Sequence, residues 1–347
     1  MRRFLPPLGC LIVAGAVAGT GAAGRHLPAE ILNATGGLPA HIVGQFSDAI
    51  GFAETSTGES IVLDRRAHTL YAVNRQKTSV RKVLVVGFEE GKVLRPGVLA
   101  LSSDDILAVA DAPNALERIQ YFSTSGTLIG GFYLQTRSAP RLSLGPLILN
   151  GVGSMSFTGK TFLVNRPETG ALFSEIDNSG TVIRQIGTLR PTGHERDADV
   201  HLAMNMGLPL ADPGGGYYFV FMTGVPKFQK YDANGALVFE RHVEGIELDR
   251  HVQSLPTTWP RRDTAEGRGL PIVPPLVRAA AVDPSGRLWV SLVEPYTYVY
   301  DKEGQKVRTV QFKGATAIAA NSLFFTKDGR VLVTPGCYQF STTSGNK

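Results

Sequence analysis

Cysteine is nearly missing from this chain of 347 residues, which has only Cys10 and Cys337. No C-x-x-C pair exists, so a disulfide-stapled scaffold is not expected and core packing must hold the fold. Charge is sparse as well, at 19%, and no run of five or more Lys and Arg occurs. A nucleic-acid partner and a polybasic membrane patch therefore have no support. The one long apolar run, Leu8 to Ala18, is shorter than the roughly 20 residues that cross a bilayer. Good helix formers are scarce too, with only ADAPNALERI at 110–119 offering a short stretch between two apolar segments. What the chain does have is 39 Gly, 21 Pro and 43% hydrophobic residues. That is the make-up of a globular protein with many turns and few long helices.

The first residues order themselves as a secretory leader: Arg2 and Arg3, the apolar run, then Thr20, Gly21, Ala22 and Ala23. Cleavage after Ala23 is expected, which makes the protein exported, periplasmic or extracellular. An uncleaved anchor and a lipid-modified Cys10 are the rival readings, the second disfavoured by Pro6 and Pro7 ahead of the thiol. Cleavage lowers the formal charge from +5 to +3, because Arg2 and Arg3 are the only charged residues removed. Cys337 would then be alone, a packed thiol rather than a nucleophile.

An apolar strand, an Asp/Asn/Ser/Gly turn and a second strand recur at 116–132, 171–187, 225–243 and 296–312. Gly126, Gly180, Gly235 and Gly304 close these turns, where a positive φ is expected. A second hairpin precedes each, with turns near 102–105, 157–160, 212–216 and 283–286. Two consecutive hairpins make a four-stranded unit. Further units are read at 60–87 and 316–340, the last with three strands, while HIVGQFSDAI at 41–50 is a strand without a unit. Pairing these two closes a ring, which leaves only short sheet edges. The expectation is an all-β, six-bladed β-propeller of four-stranded antiparallel blades, closed by an N-terminal strand that completes the last blade. The divisions are a leader at 1–23, a linker at 24–40, one propeller domain at 41–340 and a tail at 341–347. A β-sandwich of repeated hairpins is the competing architecture; it does not explain an orphan first strand matched by a missing last one.

VADAPNALERIQYFSTSGTLIGGF at 109–132 resembles an NHL-type repeat, with an Asp-bearing loop before an Arg-Ile-Gln-aromatic strand and a Gly turn. Segments 225–243 and 296–312 are looser versions. The resemblance covers roughly 41–340 and implies the broad group of NHL-like six-bladed propellers of exported bacterial proteins, which includes lactonases, lyases and sensors. A propeller fold by itself does not fix a function.

Three connections between blades are long: 134–147, 188–203 and 244–276. Loops of that length often bind or cover something, and in a propeller they share one face around the channel mouth. The largest contains His251, Trp259, Arg261, Arg262 and Asp263; it is read as a wall beside that mouth, or else as a decorative insertion. The repeated pieces AVNRQ at 72–76 and LVNRPE at 163–168 are expected to put Asn74, Arg75, Asn165 and Arg166 on that same face, together with Asp111 and Glu294. Arginine suits bidentate recognition of carboxylate or phosphate. Ligand contact is thus assigned to Arg75, Arg166, His251, Trp259 and Arg261.

His194, Glu195, Asp197, Asp199 and His201 lie within eight positions. In an extended segment Asp197, Asp199 and His201 would share a face, and these are ligand types for one divalent ion, Ca or Zn. The spacing matches no established metal motif, and a solvated polar loop is the plain alternative. GVGSMS at 151–156 is neither a dinucleotide loop nor a nucleophile elbow. The leading function is a monomeric exported protein that binds a small molecule, glycan or peptide at the loop-rich mouth. The alternatives are a metal-dependent hydrolase or lyase with ligands such as Glu54, Asn150, Asp199, His201 and Asn205 converging from different blades, and a protein interaction scaffold.

Overall fold

The computed structural model describes residues 28–342 apart from 139–140, 145–146, 151, 264–266 and 268. The expected leader and Cys10 lie outside the described residues. Six four-stranded antiparallel sheets follow one another around an axis. Blade 1 is Ala49–Glu54, Ser60–Asp64, Thr69–Val73 and Val80–Lys82. Blade 2 is Val98–Leu101, Leu107–Asp111, Leu116–Phe122 and Leu128–Ser138. Blade 3 is Met155–Phe157, Thr161–Asn165, Ala171–Asp177 and Val182–Thr188. Blade 4 is Gly207–Ala211, Tyr217–Phe221, Lys227–Tyr231 and Leu237–His242. Blade 5 is Val277–Val282, Leu288–Leu292, Thr297–Tyr300 and Lys306–Lys313. Blade 6 is Ser322–Phe325, Arg330–Thr334 and Tyr338–Ser341, and its fourth strand is Gly36–Gly37.

The ring therefore closes as expected, but through a different segment. Residues 41–50 do not pair with blade 6: Ala40–Val43 is a helical turn and Ala49–Glu54 is the inner strand of blade 1. The stretch read as a linker also joins the sheets, since Ala29–Asn33 runs parallel to the outer strand of blade 5.

Why the chain packs this way is visible in the second strand of each blade. Tyr217–Phe221 is buried at all five positions, a continuous apolar run because both faces of a blade are covered by neighbours. Its alternate side chains point opposite ways. Tyr217, Phe219 and Phe221 join Leu163, Leu172 and Phe173 of blade 3, whereas Tyr218 and Val220 join Leu288, Val290 and Tyr298 of blade 5. Among the described residues, each neighbouring pair of blades shares one such apolar cluster, including blades 6 and 1, where Leu332 and Cys337 meet Phe52, Val62 and Val73.

The expected turn glycines take positive φ, from 79° to 93° at Gly126, Gly180, Gly235 and Gly304. Gly126 has a second reason to lack a side chain, for a Cβ there would sit 2.2 Å from the carbonyl oxygen of Val83. No helix among the described residues is long and apolar enough to cross a membrane.

Candidate functional site

The turns between first and second and between third and fourth strands lie on one face, here the lower. The middle loops and the connections between blades lie on the upper face. All three long connections emerge there, and each carries structure of its own. Arg141–Leu144 pairs with Leu147–Asn150, Ala198–Met204 and Ile246–Gln253 are helices, and Arg261–Asp263 pairs with Gly269–Pro271. Ser143 bridges to Ile272, and its carbonyl accepts from the Val273 N–H at 3.0 Å. Leu144, Val200, Ala203, Met206, Trp259 and Val273 form an apolar cluster separate from the blade clusters. The three excursions are thus one cap with its own small core.

The cap brings together several of the residues singled out in the sequence. Trp259 is 7% exposed, and its indole N–H donates to His194 Nε2 at 3.3 Å. Arg261 donates to Asp197 at 2.5 Å and stands 3.7 Å from Asp199. That hydrogen bond from Arg261 holds the Asp197 carboxyl below the usual range. Asp197 is also the N-cap of Ala198–Met204, accepting from Val200 N–H. The Glu195 carboxylate accepts from the backbone N–H groups of Thr192 and Gly193, and the first of these bonds lowers its pKa most.

This geometry corrects the metal reading. The segment from Asp197 to His201 is the start of a helix, so the alternation argued for an extended chain does not apply. The two carboxylates face Arg261, and the His201 ring Nδ1 lies 2.8 Å from Thr192 Oγ1 instead. Among the described residues no group of three or more His, Cys, Asp or Glu is arranged to hold a metal ion. The wider ligand set does not converge. Glu54 is at the lower end of an inner strand, paired with Arg330 at 2.6 Å. Asn205, fully buried, ties Arg190 and His201 backbone groups. The Asn150 side chain lies outside the described residues.

Two further expectations are redistributed. Asn165 and Arg166 occupy the middle loop of blade 3 on the upper face, but Asn74 and Arg75 occupy the last turn of blade 1 on the lower face. Asn74 there accepts from Thr78 and Ser79 N–H, the job that Asp177, Asp232 and Asp301 perform in the corresponding turns. Arg75 is exposed beside a lower-face recess of about 330 Å³ shared with Lys77, Arg330 and Glu54. Arg166 is mostly buried and reaches Glu168 at 3.4 Å. His251 pairs with Glu294 at 2.7 Å toward the rim of blade 5. Neither Arg166 nor His251 belongs to the apolar cluster around Trp259.

Asp111 is not an exposed loop acid either. It is 3% exposed and forms two bonds with Arg118, at 2.7 and 2.9 Å. The other Arg118 donors reach the carbonyls of Phe88, Glu89 and Lys92, and Gln120 holds Gly91 N–H and Lys92 C=O. The Arg-Ile-Gln strand is a clamp on the connection between blades 1 and 2.

Sequence reasoning missed two features. Arg190, stacked on Phe221 at 4.3 Å, donates to the carbonyls of Met204, Thr223 and Val225. Burial pulls its pKa down to about 10, still well above neutral pH, so a buried cation fastens the upper loops of blades 3 and 4. The second is what lines the expected channel. A cavity of about 440 Å³ is lined by the inner strands of all six blades, with Leu99, Leu208, Ala280 and Phe325 among its walls. Below, it shares Leu101, Phe324 and Phe325 with a mouth of about 430 Å³ rimmed by Ser102, Asp105 and Lys327. The signal was present in the small and apolar inner strands VLAL, GLPLA and VRAAAV, yet a bore is a property of six strands together and no single one reports it.

No family model matches the chain, and no curated protein matches it. Solved structures resemble it at low identity. One is virginiamycin B lyase from Staphylococcus aureus, a catalytically inactive form with quinupristin: 10% identity, 86% of this chain and 85% of that one, TM-score 0.49. A protein of unknown function from Bacteroides caccae is 9% identical over 81% of this chain and 80% of that one, with a TM-score of 0.42. Kuenenia stuttgartiensis hydrazine synthase is 12% identical over 83% of this chain and 92% of that one, with a TM-score of 0.46.

Proposed function

We propose that the protein is an exported binding protein that takes a small, largely apolar molecule into the axial channel beneath the cap. The observation that carries this reading is the pairing of a capped upper face with a 440 Å³ bore whose walls come from every blade. Cavities of a few hundred Å³ with apolar walls and a few polar groups are the usual form of small-molecule sites. The cap residues themselves are engaged with one another, so the channel rather than the Trp259 cluster offers free surface. Export rests on the order of the first 23 residues.

The test is titration with the neutral fluorophore N-phenyl-1-naphthylamine. Saturable fluorescence enhancement at one site per chain is expected. Ala281→Trp, which fills the bore, should abolish it while leaving the thermal midpoint near that of the parent. Enhancement that never saturates, or that survives Ala281→Trp, refutes the reading.

A further inference from the structure

The channel wall is not uniformly neutral. Among the described residues lining the cavity, Arg278 is the one charged side chain, and no Asp or Glu accompanies it. It stands at the upper end of the inner strand of blade 5, where the pairing with Leu288–Leu292 slips between Val277 and Ala279. Such a bulge turns an extra side chain away from the regular alternation and commonly re-aims it. The strand otherwise reads V-x-AAAV, so an arginine among alanines at the bore is a chemical exception.

The partners of this guanidinium matter more than its position. Nη1 donates to the neutral Asn321 Oδ1 at 2.9 Å. Among the described residues Nε and Nη2 make no hydrogen bond or ion pair, which leaves one two-pronged edge of the fork unused. Other arginines at the ends of the blades are matched with carboxylates: Arg330 with Glu54 and Asp328, Arg308 with Glu30, Arg287 with Asp283 and Arg184 with Glu175. An exposed guanidinium that offers a free bidentate edge at the upper end of the bore is complementary to a carboxylate with an apolar body.

We infer that the channel selects a monocarboxylate, its head on the free edge of Arg278 and its hydrocarbon or aromatic body directed along the bore toward Leu101 and Phe325. The inference deepens the channel reading and rests on it. At the lower mouth the cations Lys327 and Arg330 stand among Glu54, Asp105 and Asp328, and Arg330 is already paired with two of these acids, so the upper end offers the less encumbered guanidinium. Asn321, held by its N–H to Thr334 C=O at 2.8 Å, fixes one edge of the guanidinium and so is a positioning residue.

The experiment compares 4-phenylbutyrate with 4-phenylbutan-1-ol, which share one apolar body and differ in charge, as competitors of N-phenyl-1-naphthylamine on the full chain. The acid should compete about tenfold or more better than the alcohol. Arg278→Met should erase that preference by weakening the acid alone, and Arg278→Lys should keep part of it. Equal competition by acid and alcohol in the parent protein, or a preference that survives Arg278→Met, overturns the inference while leaving channel binding in place. Failure of the fluorophore and both competitors to bind overturns the channel reading as well. A purely structural role for Arg278 would lower the thermal midpoint of Arg278→Met without changing the ratio of acid to alcohol, and that too overturns it.

Discussion

Replacing Asp111 by Asn tests whether the Arg-Ile-Gln strand works as a buried clamp. Both partners of the Asp111–Arg118 pair have side chains only 1% exposed, with Nη2 and Oδ2 2.7 Å apart. Asparagine keeps the shape and one acceptor but leaves the guanidinium without a counter-charge in a water-poor site. Removing one member of a buried pair costs about 3–5 kcal/mol, because the remaining charge is uncompensated. For a domain of this size that corresponds to a fall in melting temperature of roughly 5–10 °C. The carbonyls of Phe88, Glu89 and Lys92 are still held by Arg118, so the connection between blades 1 and 2 should loosen rather than detach. In the double variant Asp111→Leu, Arg118→Met both charges vanish, but those carbonyls and Leu94 N–H lose their partners. Its loss should be smaller than the sum of the two single losses by about 1–3 kcal/mol. Urea unfolding of the parent, Asp111→Asn, Asp111→Leu, Arg118→Met and the double variant gives the numbers, with Asp48→Asn as control, since that partly exposed carboxylate and Arg65 form a pair worth about 1 kcal/mol or less. A loss under about 1 kcal/mol for Asp111→Asn, no larger than the control, would refute the clamp.

Two further outcomes follow from burial. Trp259→Ala removes the largest side chain of the cap core, a truncation that typically costs about 3–5 kcal/mol; because this core is separate from the blade clusters, protease cutting within 254–263 should rise sharply while the main melting transition stays within a few degrees, and a matched collapse of both would show the cap to be part of the ring core. Cys337 is fully buried and burial alone pushes its thiol up to about 12, so iodoacetamide at pH 8 should leave it unlabelled until urea is added. By linkage the neutral thiol supports the fold fully below its ordinary value near 9 and loses that contribution as pH climbs toward 12; labelling of the native protein at the unfolded rate would count against its packing between blades 6 and 1.

The six-bladed ring was legible in the sequence because two local signals repeat together: short apolar runs such as YYFVF, and a polar turn closed by glycine at 126, 180, 235 and 304. Its closing strand was not, since Gly36–Gly37 has no side chains with which to show a period. Overlooking it moved the first blade by one strand. The supposed closing segment at 41–50 took in only the start of the strand at 49–54, whose remainder went unread, and the shift carried Asn74 and Arg75 from one face to the other. Identical Val-Asn-Arg triplets at 73–75 and 164–166 thus have different surroundings, one a last turn and one a middle loop. The helix at 198–204 had a readable start in Asp197, an N-cap residue type, but the two histidines drew the reading toward ligation. The Asp111 and Arg118 partnership was present as a pattern while its role depended on carbonyls from 88–92, far from it in sequence.

Cap and channel dispose of their charges in opposite ways, and this decides where a ligand can enter at low cost. On the upper face, Arg261 is matched with Asp197 and Asp199, His251 with Glu294, and Arg166 with Glu168. A ligand competing there must first break pairs that the protein already makes, so its own contacts are offset by those it displaces. In the channel, apolar side chains such as Leu99 and Phe325 share the wall with serines and backbone groups, and Arg278 has only the Asn321 amide as hydrogen-bond partner. A ligand there displaces water from apolar surface, a gain of about 25 cal/mol per Å² buried before the losses of association, and meets a cation with no carboxylate to surrender. Trp259, the residue type most often found at the centre of binding surfaces, is spent on holding three loops together. On the proposed reading, recognition falls to the bore, while the cap residues serve one another.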